Sequence, residues 1–419
     1  MLDAARGDGE VLACYVLDPR LMASSGPRRL QYLYDSLREL CDGLDGRLLI
    51  THGRPETRIP ALANKIGATS VHVSAEFLPF GRRRDEAVRA ALGDVPLEES
   101  GSPYLVSPGR VTKDDGTPYK VFTPFYAAWK QHGWRAPART GPKTAHWIAP
   151  ADVGGDIPGD IPDGDIPDGL AELDHPAGEK AARKEWKKFV GSAVSDYSDE
   201  RNRPDHDGTS RMSAHLKFGT IHPRTMAADL GGGPGAQAYL RELAFRDFYG
   251  AVVHAWPDST WWNWNKAFDR IEVDEDAAAK NRFEAWKAGR TGFPIVDAGM
   301  RQLAETGYMH NRVRMITASF LVKDLHLPWQ WGARWFLDQL TDGDMASNQH
   351  GWQWAAGCGT DAAPYFRVFN PTTQGKKFDP DGVYVRRWVP EFGGDDYPEP
   401  IVDHAAERQE ALRRYDAIR

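Results

Sequence analysis

Strand-forming patterns occupy only the N-terminal part of this 419-residue chain, and that asymmetry limits the fold more than any other feature. Val11–Leu17 (VLACYVL), Arg47–Thr51 (RLLIT) and Ser70–Val73 are short apolar runs and read as buried strands. Between them, Leu30, Leu33, Tyr34, Leu37, Leu40 and Cys41 share one helical face, and Ile59–Gly67 reads as a second helix. Strands alternating with helices predict a doubly wound parallel α/β domain. From Glu179 the texture is helical. Trp186, Phe189 and Val190 line one face with lysines opposite, Pro294 and Pro328 fall at helix starts, and Gly307 falls at a helix end. No strand alternation returns, so the second domain is expected to be large and all-helical.

The sequence DIPGDIPDGDIPDG separates the two textures. It is acidic and rich in Pro and Gly, and it cannot bury enough surface to order itself. The expected organisation is an α/β domain over 1–140, a linker over 141–178 and a helical domain over 179–419. Fifteen tryptophans are many for this length and mark stacking surfaces or a large cofactor pocket. A net charge of −7 argues against a generic nucleic-acid coat, although a local basic footprint matters more than the sum. Cys14, Cys41 and Cys358 form no CxxC pair, which argues against zinc and fits a reducing cytoplasm. No apolar run reaches membrane-spanning length, and MLDAARGDGE has no secretory core, so the expectation is a cytoplasmic protein with no membrane partner.

The densest chemistry lies in Asp342–Pro371, DGDMASNQHGWQWAAGCGTDAAPYFRVFNP, which shows no clean helical or strand period. Asp342, Asp344, Asp361, Asn348 and His350 interleave with Trp352, Trp354, Tyr365 and Phe366. Such a mixture suits a large, flat, polar-edged ligand, with acids and amides reading ring N–H and C=O groups. The plainer alternative is a buried loop that satisfies its own backbone. Gly208–Ser213 (GTSRMS) offers the hydroxyls of Thr209, Ser210 and Ser213 beside a helix start, which suits a phosphate cradle or simply a cap. Glu242, Phe245, Arg246 and Tyr249 stand at i, i+3, i+4 and i+7, one face of a helix.

These segments share a specific resemblance. DGDxAxNxxGWQWxAxxGTDAAPYFRxFNPxxQxxKFD, with TGYMHNRVRMITASFLVKDL upstream, resembles the FAD-binding core of the DNA photolyase/cryptochrome family. The match is nearest to the class I cyclobutane pyrimidine dimer photolyases; it runs from Val11 to Tyr415 and is dense from Tyr197 onward. The resemblance implies that FAD meets Tyr197, Thr209, Ser210, Arg211, Met212, Ser213, Tyr239, Glu242, Arg246, Asn311, Arg314, Asp342, Asp344 and Asn348, with its pyrophosphate at GTSRMS. Arg314 is expected to pair with Asp342, and Asn348 to face flavin N5 and favour the reduced, anionic flavin. Glu242 would act on the dimer's carbonyl, while Phe245 (a Trp in relatives), Asn311, Met315 and Trp354 would meet the lesion. Arg312 and Arg386, with Lys376, Lys377 and Arg387, would contact DNA phosphates.

Trp352 and Trp329 fall on the inner and middle positions of the family's electron-transfer chain. The outer Trp has no counterpart: Val273 takes its place, and Trp331, Trp335 or the Trp261, Trp262, Trp264 cluster are the alternatives. FLPFGRRR (77–84) is similar to a stretch in relatives that carry a deazaflavin antenna. A second chromophore of the 8-hydroxy-5-deazaflavin type, rather than methenyltetrahydrofolate, is the corresponding expectation; a solvated loop and helix start is the other. Relatives open with a strand leading into WFRxDLRLxDNxAL, which this sequence lacks, so a late start assignment or a truncation is expected. The function implied is light-driven repair of pyrimidine dimers in damaged DNA by a monomer. A cryptochrome-like photoreceptor without repair activity, and a non-enzymatic flavin-binding remnant, are the rivals.

Overall fold

A computed structural model of the chain describes residues 9–138, 141, 145–153, 173–362, 364 and 367–418. The acidic repeat, Tyr365 and Phe366 lie outside these residues. The N-terminal part contains β1 (Glu10–Val11), β2 (Ala13–Leu17), β3 (Leu48–His52), β4 (Val71–Val73), β5 (Leu97–Glu99) and β6 (His146–Trp147). All pairings are parallel, as the alternation requires: Ala13 lies opposite Leu48, Val71 opposite Leu97 and Glu10 opposite His146. The sheet is divided, however. Among the described residues it consists of three separate two-stranded pieces, with β2 bonded only to β3 and β4 only to β5.

Besides a short helix at Pro19–Ala23, the helices of this part are α1 (Pro27–Gly43), α2 (Pro55–Ile66), α3 (Pro79–Leu92) and α4 (Phe122–His132). Leu30, Tyr34 and Leu37 of α1 pack on Leu17, Leu48 and Ile50 of the strands. Two boundaries differ from the sequence expectation. Proline at the first helical turn starts α2 at Pro55 and α3 at Pro79, so the Arg82–Arg84 run lies on a helix rather than in a loop.

From residue 173 on, the described chain contains helices and no strand. The elements that matter for the site are α5 (Glu179–Ser192), α6 (Pro234–Ala255), α7 (Ala277–Lys287), α8 (Pro294–Thr306), α9 (Asn311–Lys323), α10 (Trp329–Gln339) and α11 (Met345–Ala356). Val296, Met300, Ile316, Phe320 and Phe336 lie at the centre of the largest core. Proline opens α8, Pro328 caps α10, and Gly307 closes α8 at φ +68, as the sequence signals imply.

The Asp342–Pro371 stretch corrects the expectation of an aperiodic segment, because α11 runs through it. Asp344 caps the helix by accepting from the Ser347 N–H at 2.8 Å, and Gly357 ends it at φ +87. Its pattern is illegible because the helix is buried on several sides and its polar residues are paired. Gln349 donates to the Thr260 carbonyl at 2.5 Å and Gln353 to that of Ser259 at 2.6 Å.

The two parts of the chain are joined by polar contacts. Buried Asp247 on α6 accepts from the N–H groups of Leu105 at 3.2 Å and Val106 at 2.7 Å, and from the Trp129 indole at 2.9 Å. Burial pushes its carboxyl up to about 6, against the pull of these donors. Glu39 of α1 accepts from the N–H of Glu179 at 2.8 Å, which fixes the start of α5.

Candidate flavin and lesion chamber

One cavity of about 520 Å³ gathers nearly every residue singled out by the sequence. Helix α6 contributes Tyr239, Glu242, Phe245, Arg246 and Tyr249, so the 3.6-residue stripe does face one chamber. Helix α9 contributes Asn311, Arg312, Arg314 and Met315, and α11 contributes Asn348, Trp352 and Trp354. Tyr197, the Thr209–Ser213 loop, Asp342 and Asp344 complete the wall. Among the expected residues that fall outside it are Trp329, Lys376, Lys377, Arg386 and Arg387. Trp329 is buried at the start of α10 and its indole N–H donates to Asn263 at 2.9 Å. Arg386 donates instead to the carbonyl of Asp381.

The charged groups are anchored before any ligand is considered. Arg314 donates from Nε to the Met309 carbonyl at 2.7 Å and from Nη2 to Asp342 Oδ2 at 2.8 Å. The other Asp342 oxygen, Oδ1, is buried and has no hydrogen-bond partner. A buried carboxylate oxygen left in this way is costly unless a donor arrives. Asp344 is held below the usual carboxylate range: burial raises it, but Lys217, Arg246 and the Ser347 hydrogen bonds outweigh burial. Arg246 itself is committed to the Pro103 carbonyl at 2.7 Å and lies over the Tyr104 ring at 4.7 Å.

Burial pushes the Glu242 carboxyl above its ordinary range, with Arg201 and Arg241 opposing. Arg201 Nη2 stands 2.8 Å from Glu242 Oε1, yet this oxygen makes no hydrogen bond of good geometry. Phe245 has one face covered: it stacks on Phe122 with ring centroids 3.5 Å apart and planes 6° from parallel. Arg312 donates to Asn202 at 2.7 Å and lies over the Phe378 ring at 4.4 Å. Asn348 donates to the Ala333 carbonyl at 3.0 Å and to Gln349 at 2.7 Å. Its carbonyl oxygen is therefore the group left for a ligand, with the amide orientation assigned from these bonds.

The GTSRMS loop caps the next helix only weakly, the Ser210 hydroxyl accepting from the Met212 N–H at 3.3 Å. That helix, Ser213–Phe218, has no side-chain bond from its own N-cap residue, and the hydroxyl of Ser210 also bonds that of Tyr239 at 2.7 Å. The wall residues that escaped sequence reasoning include Arg201, Lys217 and Tyr308. Each stands close to a recognised segment. Arg201 is four residues after Tyr197, Lys217 four after Ser213, and Tyr308 two before His310. Helical spacing from the known positions would have found the first two.

The residues present fit a large dinucleotide: an orphan carboxylate oxygen, an amide carbonyl, a hydroxyl-bearing loop and arginines line one space of suitable size. Two family models match the chain, one described as DNA photolyase over residues 1–143 and one as the FAD binding domain of DNA photolyase over residues 239–394. The deoxyribodipyrimidine photo-lyase of Streptomyces griseus is 39% identical over 446 residues, covering 99% of this chain and 94% of that protein. A class III photolyase from Agrobacterium tumefaciens superposes with a TM-score of 0.89 at 33% identity, covering 100% of this chain and 94% of the other. A cryptochrome from Synechocystis sp. PCC6803 does so with a TM-score of 0.88 at 26% identity, covering 98% of this chain and 95% of the other. The chain carries the FAD-binding domain of this group and belongs to the DNA photolyase family.

Proposed function

We propose that this protein repairs cyclobutane pyrimidine dimers in DNA, using blue light and FAD in its reduced, anionic form. The observation that carries this reading is that one chamber holds both the flavin-type donors and acceptors, Asp342, Arg314 and Asn348, and the lesion-type wall of Glu242, Met315 and Trp354. Bound FAD would supply an electron to the dimer on excitation and recover it once the ring has opened. Everything else is the work of this chain's residues. The Asn348 carbonyl is free to accept from a flavin N–H and so favours the form that carries that proton. Photolyases are among the enzymes that extrude their target base, and here the extruded pair would enter between Phe245 and Met315. Glu242, kept protonated more readily than an ordinary carboxyl, would donate to a dimer carbonyl as charge develops there. Arg312 and Arg386 remain the proposed phosphate contacts.

We take the molecule to act as a cytoplasmic monomer with the organisation 1–140, 141–178 and 179–419. Among the described residues no helix is long and apolar enough to cross a membrane. A deazaflavin-type antenna near Arg82–Arg84 belongs to the same reading. The test is direct: reduced protein under blue light should restore thymine-dimer oligonucleotides. A protein that binds FAD but repairs nothing would be the photoreceptor, a reading favoured by the covered face of Phe245. Glu242→Ala and Met315→Ala are each expected to lower repair per absorbed photon several-fold, on the order of 1 kcal/mol of lost stabilisation. Glu242→Gln should keep more of the yield than Glu242→Ala, because an amide still donates. Unchanged yield in both alanine variants would remove this wall from the lesion site.

Trp352 and Trp329 are proposed to carry electrons inward when oxidised flavin is photoreduced. Ring contacts offer a second route, to Trp331, that bypasses Trp329. Trp352 meets Trp286 at 6.1 Å, Trp286 stacks on Phe283 at 5.8 Å, and Phe283 meets half-buried Trp331 at 5.3 Å. Trp331→Phe should slow photoreduction by an external thiol several-fold while leaving repair by chemically reduced protein intact. Equal photoreduction rates in variant and wild type would exclude this exit.

A further inference from the structure

Arg211 lines the flavin chamber and also a second, much smaller cavity of about 30 Å³. Its backbone sits at φ +57, a left-handed conformation that a residue with a long side chain adopts only when its surroundings impose it. Its guanidinium lies over the Tyr308 ring at 4.2 Å and donates from Nη1 to His175 Nε2 at 3.0 Å, with Asp174 at 3.9 Å. A guanidinium can only donate, so Nε2 of His175 must accept, and its ring proton is on Nδ1. That nitrogen faces Glu185 Oε1 at 3.5 Å. The other oxygen of Glu185 stands 3.3 Å from His215 Nε2. Buried His215 in turn meets the Tyr32 hydroxyl at 2.6 Å and the Thr220 hydroxyl at 2.8 Å through Nδ1.

The series therefore runs unbroken from α1 in the N-terminal part, through α5, to the chamber loop. Its middle member is biased toward the ionised form: burial raises the Glu185 carboxyl, but His175 and His215 outweigh burial and bring it down to about 2. It stays ionised at neutral pH and polarises the imidazole toward accepting from Arg211. None of Tyr32, His175, Glu185 and His215 lines the flavin chamber, so none can act on a ligand there directly.

We propose that Glu185, working through His175, is a positioning residue that holds Arg211 and the Thr209–Ser213 loop against the diphosphate of the bound dinucleotide. The proposal rests on the reading that FAD occupies the chamber with its diphosphate at this loop. Held in place, Arg211 and its loop offer their donors without further ordering on binding, and preorganisation of that kind is gained as affinity.

The test is a double-mutant cycle on FAD binding by the full chain, read as quenching of flavin fluorescence and as the visible circular dichroism of the bound flavin. Glu185→Ala should weaken FAD binding about tenfold and Arg211→Ala by at least as much, with the double variant no weaker than Arg211→Ala alone. Glu185→Gln, which keeps shape and loses charge, should fall between wild type and Glu185→Ala, and it guards against simple misfolding. Additive losses, or Glu185→Ala binding FAD as wild type does, would overturn the proposal while leaving the flavin reading intact. Wild-type protein that takes up no FAD would overturn both.

Discussion

Asp342→Ala protein should purify without flavin. The two oxygens of the Asp342 carboxylate differ: Oδ2 holds Arg314 at 2.8 Å, and Oδ1 is buried with no partner. Removing it leaves the Arg314 guanidinium without its ion-pair partner, with one hydrogen bond to the Met309 carbonyl and the Tyr308 ring at 5.8 Å. Breaking a buried pair typically costs 3–5 kcal/mol, and the partial exposure of Arg314 argues for the low end. A charge-assisted hydrogen bond from the ligand to the carboxylate is worth up to about 3 kcal/mol, roughly a hundredfold in FAD affinity. Asp342→Asn should lose less, because one acceptor oxygen survives. Titration of each apo-protein with FAD, followed by flavin fluorescence, measures both. If Asp342→Ala retained full flavin occupancy, the orphan oxygen would have no bearing on the cofactor, and the chamber's fit to FAD would rest on shape alone. The contrast with Glu185 is instructive: Asp342 lies in the chamber wall and Glu185 two side chains away, so their losses should differ by about an order of magnitude.

What could be read from the sequence follows a physical division. The α6 stripe was legible because 3.6-residue spacing brings Glu242, Phe245, Arg246 and Tyr249 to one face whatever surrounds them. The parallel pairing of β2 with β3 was legible because alternating strands and helices permit little else. Helix α11 was hidden, because periodicity arguments assume one wet face, and the buried Gln349 and Gln353 are satisfied by a distant turn. The covered face of Phe245 was hidden because its partner, Phe122, lies on α4. The same holds for Arg201 against Glu242: the residue types were visible, but their juxtaposition depends on how helices distant in sequence pack. The division of the sheet was half-legible. The strands themselves could be read, but the number of separate pieces among the described residues follows from hydrogen bonding alone. Local geometry is written locally, whereas partnership across the core is decided by the packed whole.

The last expectation turns on two glycines that sequence cannot tell apart. Gly235, in the first turn of α6, has no room for a side chain: a Cβ there would overlap the carbonyl oxygen of Val194 and come within 2.6 Å of that of Ser195. These are main-chain atoms and cannot rotate aside, so Gly235→Ala must push the start of α6 away from the 194–197 segment. That movement would separate Tyr239 from Tyr197, whose rings now pack 5.1 Å apart in the chamber wall. Overpacking of this kind costs roughly 3 kcal/mol when the backbone must yield, and the variant should lose FAD affinity together with stability. Gly191, in α5, is exposed, has an ordinary helical backbone, and has nothing within 4 Å of a Cβ position. Gly191→Ala should therefore stabilise by about 0.5–1 kcal/mol, because alanine restricts the unfolded chain and adds no clash. Denaturant unfolding followed by far-ultraviolet circular dichroism should move the midpoint down for the first variant and up for the second. Matching shifts of the same sign would mean that α6 can slide on its neighbour. In that case the geometry of the flavin wall would not be fixed by the contact at Gly235, and the close fit of Tyr197 to Tyr239 would have to be maintained by the ligand itself.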